Sequence, residues 1–369
     1  MRPGAILFAP PHAVTAMSLD HYRLLGRSGL RVSPLALGTM TFGQDWGWGA
    51  DEAEAGRILD AYLERGGNFI DTANFYTFGS AETLLGKLLR HRRERVVLAT
   101  KYSLSMDAAD PNAGGNHRRA MLRGVEASLK RLNTDALDLL YLHAWDGTTA
   151  VEEVMRAFDD LVRAGKVMYA GISDTPAWQV ARMQTLADLR GWSPLVALQV
   201  EYSLLQRSVE HELLPMAAAL GLGVVAWSPL GGGVLTGKYG AADLTPPAEA
   251  GPTGTRREVA IANGALTPRA LDIAAVVRAV AAETGHSAAQ IALAWVLHRP
   301  DPGAIPIIGV RTLAQLEDNL GAFEVHLTPA QCARLDDASA CPAPFPHDFL
   351  RSPLVMRNLF GTAQLELRA

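Results

Sequence analysis

Four side chains capable of acid–base chemistry stand in order along the first half of the chain: Asp71, Tyr76, Lys101 and His143. Each follows or ends a short apolar run, "NFID", "VVLAT" or "LDLLYLH". A free phenol titrates near ~10, too high for easy proton traffic at neutral pH. An ammonium beside it favours the phenolate and lowers that pKa, and a carboxylate beyond keeps the ammonium charged and aimed. A histidine can donate to a carbonyl oxygen and orient the substrate. Together these types suit reduction of a carbonyl by hydride, with the tyrosine protonating the developing alkoxide. Asp71 and Tyr76 share the stretch "IDTANFYTFG", at a spacing that matches neither one helix face nor one strand face. The stretch is therefore expected to be a loop leaving a strand.

The apolar runs that must position these groups number eight: 35–39, 68–71, 96–100, 137–143, 167–173, 197–201, 223–228 and 304–309. They read as strands of a parallel sheet buried on both faces. The spacers read as helices over 51–66, 116–132, 151–162, 176–189, 208–220 and 268–298. In the third of these, Val151, Val154, Met155, Phe158, Leu161 and Val162 form one stripe. Eight alternations predict an α/β fold, a (β/α)8 TIM barrel. "YRLLGRSGLRVS" predicts a short β-hairpin before it, and the Gly-, Pro- and Thr-rich stretch after 228 a long loop on the seventh junction. Residues 1–17 read as a disordered leader upstream of a start at Met17, 18–340 as one barrel, and 341–369 as a tail packing on it.

In such barrels the site is built where strands end. The polar residues there are Thr39, Asp71, Tyr76, Lys101, His143, Ser173, Asp174, Gln199, Glu201, Trp227, Ser228 and Arg311. Trp46, Trp48, Phe75, Phe78, Tyr102 and Trp145 lie near the same ends and predict an aromatic pocket. The net charge of -4, with no basic block, argues against nucleic acid as partner. No apolar run approaches the ~20 residues of a membrane span. Two cysteines, Cys332 and Cys341, fit a reducing cytoplasmic compartment and offer no cysteine metal site. No metal is expected. No G-x-G-x-x-G opens a strand–helix unit, so a Rossmann site is not expected. "GGVLTGK" has P-loop spacing, but Tyr239 stands where Ser or Thr should hold magnesium.

"FIDTANFYTFGSAETLLGKLL", "VVLATK", "LLYLHAWD" and "WSPLGGGVLTGKY" strongly resemble the aldo-keto reductase superfamily, in its order, from about Tyr22 to Gly321. "LHAWD" and "GISDTPAW" are most similar to the bacterial and fungal branch with the aryl-alcohol dehydrogenase-like reductases. The resemblance implies a tetrad of Asp71, Tyr76, Lys101 and His143, with Tyr76 as proton donor. It implies NADPH/NADP+ as cofactor and a small-molecule carbonyl substrate. Gly38, Thr39 and Met40 would lie against the cofactor. Ser173, Asp174 and Gln199 would hold the nicotinamide carboxamide, with Trp227 stacked on its ring. Many relatives carry Asn where Asp174 stands, and an ionised Asp accepts without donating. Ser228, Leu230, Gly232, Gly237 and Lys238 would cover the pyrophosphate. Arg311 would grip the 2′-phosphate, with Gly309, Gln315 and Asn319 near the adenine. Two other readings share these residues. One is a cofactor-binding regulatory subunit of the potassium-channel β type. The other is a reductase tailoring a deoxysugar or polyketide.

Overall fold

The computed structural model describes residues 18–245, 255–299 and 303–363; the expected leader, 1–17, lies outside them. Eight parallel strands close a barrel: β3 (Ala36–Gly38), β4 (Phe69–Asp71), β5 (Val97–Tyr102), β6 (Leu137–Leu142), β7 (Val167–Ser173), β8 (Leu195–Glu201), β9 (Gly223–Trp227) and β10 (Ala304–Gly309). β10 pairs with both β3 and β9, which completes the ring. Every strand coincides with one of the apolar runs. A run buried on both faces needs no polar alternation, because helices cover its outside and side chains fill its inside. Inside, Phe69, Val97, Ala99, Leu139, Tyr141, Val225 and Ile307 form one cluster. Gly171 is required there, since a β-carbon at this position would meet the Tyr141 ring at 2.5 Å.

The hairpin β1 (Arg23–Leu24) and β2 (Arg31–Val32) pairs antiparallel, as the "GRSG" turn predicts. Its flanking Leu25 and Val32 are fully buried in the inner cluster. The hairpin therefore closes the end of the barrel opposite the strand C-termini.

The helices α1 (Glu52–Glu64), α3 (Arg118–Leu132), α4 (Val151–Arg163) and α5 (Ala177–Arg190) lie where the apolar stripes predict them. In α4, Val151, Val154, Met155, Phe158 and Leu161 are buried. Burying each such side chain stabilises by about 1.5–3 kcal/mol.

Two helical expectations change. The helix expected over 208–220 is a single 3-10 turn followed by α6 (Leu213–Leu220). The helix expected over 268–298 is two, α8 (Pro268–Thr284) and α9 (Ala288–Leu297). Gly285 stops the first with φ +73, and Ser287 starts the second through a capping box with Gln290. A helix without a sequence expectation, α2 (Ser80–Leu88), lies between β4 and β5. The described part of the long loop after β9 holds 3-10 turns and α7 (Arg256–Ala262), and Val234, Ala260, Leu266 and Ala270 form a small core beneath it. After β10 come α10 (Leu313–Leu320), α11 (Pro329–Ala338), and two short tail helices, α12 (His347–Leu350) and α13 (Pro353–Phe360).

Candidate active site

The four titratable groups converge at the strand C-termini. β4 ends at Asp71, the following loop carries Tyr76, β5 carries Lys101 facing inward, and His143 follows β6 directly. Lys101 Nζ lies 3.0 Å from the Tyr76 hydroxyl, 2.5 Å from Asp71 Oδ1 and 2.9 Å from the Thr72 carbonyl. Gln199 Nε2 donates to the other Asp71 oxygen at 2.8 Å. The His143 ring meets the Tyr76 ring edge-on, with centroids 5.9 Å apart. Lys101 is 1% exposed and Asp71 2%. An ammonium buried this deeply needs its three donors satisfied, and these three acceptors do so.

Burial works against the charged form of each group. It lowers Lys101, but Asp71 and Tyr76 more than offset it, so the ammonium is held above its ordinary pKa. It raises Tyr76 and outweighs the pull of Lys101, so the phenol titrates above its ordinary range. This corrects the expectation that Lys101 brings the phenol down: Lys101 limits the rise without reversing it. The Asp71 carboxylate, held by Lys101, also repels the phenolate. Burial, helped by Lys101, pushes His143 down to about 3, so the imidazole is neutral at physiological pH. Its Nδ1 is buried with no hydrogen-bond partner.

The nicotinamide candidates adjoin this set. Ser173 is buried, and its hydroxyl makes no hydrogen bond of good geometry, although the Asp174 carboxylate lies beside it. Trp227 Nε1 donates to Asp174 Oδ1 at 3.0 Å, which fixes the indole plane. Asp174 sits at the rim; the surrounding protein raises its carboxyl, opposed by the Trp227 N–H and Lys101. Glu201, level with Trp227 in the β8–β9 register, is raised by burial and by Asp174. Gln199, expected on a cofactor, spends one N–H on Asp71. Thr39 donates to the Asp71 carbonyl at 3.1 Å, Met40 is part-exposed, and Gly38 leaves room for the Ile307 side chain.

The loop after β9 turns through left-handed backbone at Ser228, Gly231, Gly232, Gly233 and Gly237. The Leu230 carbonyl accepts from the Gly233 and Leu235 N–H groups, and Ser228 Oγ from the Gly232 N–H. The Lys238 ammonium folds back towards Gly233, over the Tyr239 ring. At the end of adjacent β10, Gly309 is exposed, and beyond it the Arg311 N–H donates to Gln315 Oε1 at 2.8 Å. Gln315 lies on the surface of α10 and Asn319, one turn on, is buried.

Among the described residues, six non-glycines adopt positive φ. Thr77 and Phe78 follow β4, Ser103 follows β5, Asp174 follows β7 and Ser228 follows β9; Asn133 caps α3. Such conformations cost about 1–3 kcal/mol each and cluster where chemistry needs fixed geometry. Thr77 is held by donating to the Phe42 carbonyl at 3.0 Å and accepting from the Ala81 N–H at 2.9 Å. Around it Trp46, Trp48, Phe75 and Phe78 form an aromatic group with centroids 5.7–6.1 Å apart. Trp145, half-buried against the core, donates its backbone N–H to the Asp174 carbonyl at 3.2 Å. Tyr102 leaves the expected pocket. It neighbours the inward Lys101, so alternation turns it outward against Phe158.

Two features lacked a sequence expectation. Tyr141, beside Lys101 in the β5–β6 register, is fully buried. Its hydroxyl makes no hydrogen bond of good geometry, although Gln199 lies beside it. Its signal was period two from His143 along β6. Asn116 and Asp146 tie together the loops after β5 and β6: Asp146 Oδ2 accepts from the Asn116 N–H at 2.8 Å, and the Asp146 N–H donates to Asn116 Oδ1 at 2.7 Å. Burial opposes ionisation of Asp146, but the N–H groups of Asn116, Thr149 and Thr148 hold its carboxyl at about 2.

The Aldo/keto reductase family profile matches residues 34–340. A norsolorinic acid reductase of Emericella nidulans is 38% identical over 353 residues, covering 93% of this chain and 87% of that protein. An uncharacterised oxidoreductase of Bacillus subtilis is 42% identical over 328 residues, covering 86% and 95%. A Saccharomyces cerevisiae protein with an aryl-alcohol dehydrogenase name is 33% identical over 370 residues, covering 95% of each. Among the described residues no helix is long and apolar enough to cross a membrane.

Proposed function

The chain belongs to the aldo/keto reductase family and is an oxidoreductase; from that premise we propose that it reduces aldehydes or ketones to alcohols with NADPH, Tyr76 giving the proton. The observation that carries this reading is the buried chain from the Tyr76 hydroxyl to Lys101 Nζ at 3.0 Å and on to Asp71 at 2.5 Å. Tyr76 stays protonated at neutral pH and so holds a proton to give. As the substrate oxygen takes that proton, negative charge grows on the phenol oxygen and meets the Lys101 ammonium. Asp71 keeps the ammonium aimed, and Gln199 keeps Asp71 in place. Neutral His143 retains one ring N–H, which it gives to the carbonyl oxygen.

NADPH, when bound, supplies the hydride to the carbonyl carbon. Two observations support the fit of a nicotinamide cofactor. The buried Ser173 hydroxyl, with no hydrogen bond of good geometry, can take a hydrogen-bonding ligand group. The indole of Trp227, fixed by Asp174, offers a flat face for a ring. Ser228, Leu230, Gly232, Gly237 and Lys238 would hold the pyrophosphate through backbone N–H groups and one charge. Arg311, Gln315, Asn319 and Gly309 would hold the adenosine end, with Arg311 favouring the 2′-phosphate. The aromatic group around Trp46 and Phe78 supports aromatic carbonyl substrates, and the yeast relative's name points the same way.

The test is loss of NADPH absorbance with purified protein and a series of aldehydes and ketones that includes nitrobenzaldehyde. We expect turnover, faster with aromatic than with short aliphatic substrates. Absence of turnover across the series with both NADPH and NADH refutes the proposal.

A further inference from the structure

The tail beyond Cys341 carries an apolar surface that the barrel does not use. Neither α12 nor α13 buries a residue. Between Phe345 and Phe360, seven large apolar side chains are exposed by 40–78%, among them Phe345, Phe349, Leu354 and Leu359. The hairpin meets the barrel by its polar side: His347 reaches Glu212 at 3.3 Å and stacks on His211 at 6.2 Å. An aromatic side chain buries on the order of 150–250 Å². At these exposures the seven together offer roughly 700 Å² of apolar area, against about 800 Å² per partner in a standard interface. Monomeric proteins rarely leave that much apolar area exposed on one short segment.

We propose that this tail hairpin is the interface of a homodimer, each copy covering apolar side chains of the other. Two features favour a second copy over a different partner. The area matches what one isologous contact needs. The patch also carries both charge signs, Asp348 with Arg351 and Arg357. Across a two-fold axis the same patch meets itself reversed, so Asp348 of one copy can face an arginine of the other. A surface of one sign would repel itself. Because His347 packs against His211 and Glu212, the seam runs beside the segment that joins β8 to α6.

The experiment is sedimentation equilibrium of the full chain at micromolar concentrations. The expected mass is twice the 39.5 kDa of one chain. Phe349→Asp/Leu354→Asp should weaken self-association by at least about 100-fold, because two central apolar contacts are lost. Phe345→Lys/Leu359→Lys, at other points of the patch, should do the same. Leu189→Asp, at an apolar residue exposed by 79% on α5, should leave the dimer intact. All variants should keep the wild-type far-UV circular dichroism, since none of these side chains is buried in one chain, while the two dimer-breaking pairs should melt somewhat lower because self-association adds to stability. A wild-type monomer throughout overturns the proposal, whether or not it binds anionic phosphatidylglycerol vesicles. A dimer that survives both double substitutions also overturns it, since the seam then lies elsewhere.

Discussion

Replacing Lys101 by Met removes the ammonium and keeps most of the apolar stem. Two losses follow, and they can be separated. The first is catalytic. Lys101 Nζ lies 3.0 Å from the phenol oxygen at a site nearly closed to water. At an effective dielectric of about 20, unit charges at that distance interact by about 5–6 kcal/mol, an upper bound because charge on the phenol only develops. A charge-assisted hydrogen bond contributes about 1.5–3 kcal/mol. A loss of about 2–4 kcal/mol in the barrier is therefore expected, roughly 30- to 1,000-fold in kcat. The second loss is structural. Asp71, 2% exposed, is left with Gln199 alone among these partners. Breaking a buried pair on one side costs about 3–5 kcal/mol of stability. Adding Asp71→Asn removes the stranded charge, so Lys101→Met/Asp71→Asn should regain most of the melting temperature while its kcat stays as low as that of Lys101→Met. Steady-state reduction of one aromatic aldehyde at neutral pH, beside thermal melts of the three variants, reads both effects. Near-normal kcat in Lys101→Met refutes the reasoning, and so do rate losses that multiply in the double variant.

Three further outcomes follow from other parts of the site. Arg311→Ala should weaken NADPH binding far more than NADH binding, by about 1.5–3 kcal/mol, since only NADPH carries the 2′-phosphate; equal weakening of both, by fluorescence titration, places the arginine elsewhere. His143, held at about 3, should show no imidazole titration by NMR between about pH 5 and 8, and a midpoint near its ordinary 6.5 would contradict the buried neutral ring. Asp146, held at about 2 against an ordinary 3.8, contributes stability that is full above the ordinary value and is lost as pH falls towards 2. Asp146→Asn should therefore cost on the order of 1–2 kcal/mol at neutral pH, after allowance for solvent screening, and nothing near pH 2; a pH-independent loss in urea melts would show that its charge is not what matters.

The barrel was legible because each strand is a continuous apolar run, and a strand covered on both faces leaves that mark in any sequence. The hairpin was legible from its turn residues. The Ser287–Gln290 capping box and Gly285 were readable signals of the break between α8 and α9, but the apolar stripe runs through them and masks the stop. Tyr102 was misplaced because nearness to a strand end does not say which side of the barrel a residue faces; counting by two from Lys101 does. Asp71, Tyr76, Lys101 and His143 could be picked out because strand ends are where such a barrel gathers polar groups. What they do to one another was less legible. The hydrogen bond from Gln199 to Asp71 spans 128 positions, and no local pattern encodes it. The direction of the Tyr76 shift depends on burial competing with Lys101, a balance set by packing around the phenol and invisible in residue types.

If Tyr76 gives the proton, Tyr76→Phe removes it with the smallest change, the loss of one hydroxyl. NADPH affinity, read by fluorescence titration, should stay within about 2-fold of wild type, while kcat for a good aromatic aldehyde should fall by about 100-fold or more. Turnover close to wild type in a variant that still binds NADPH would contradict the account.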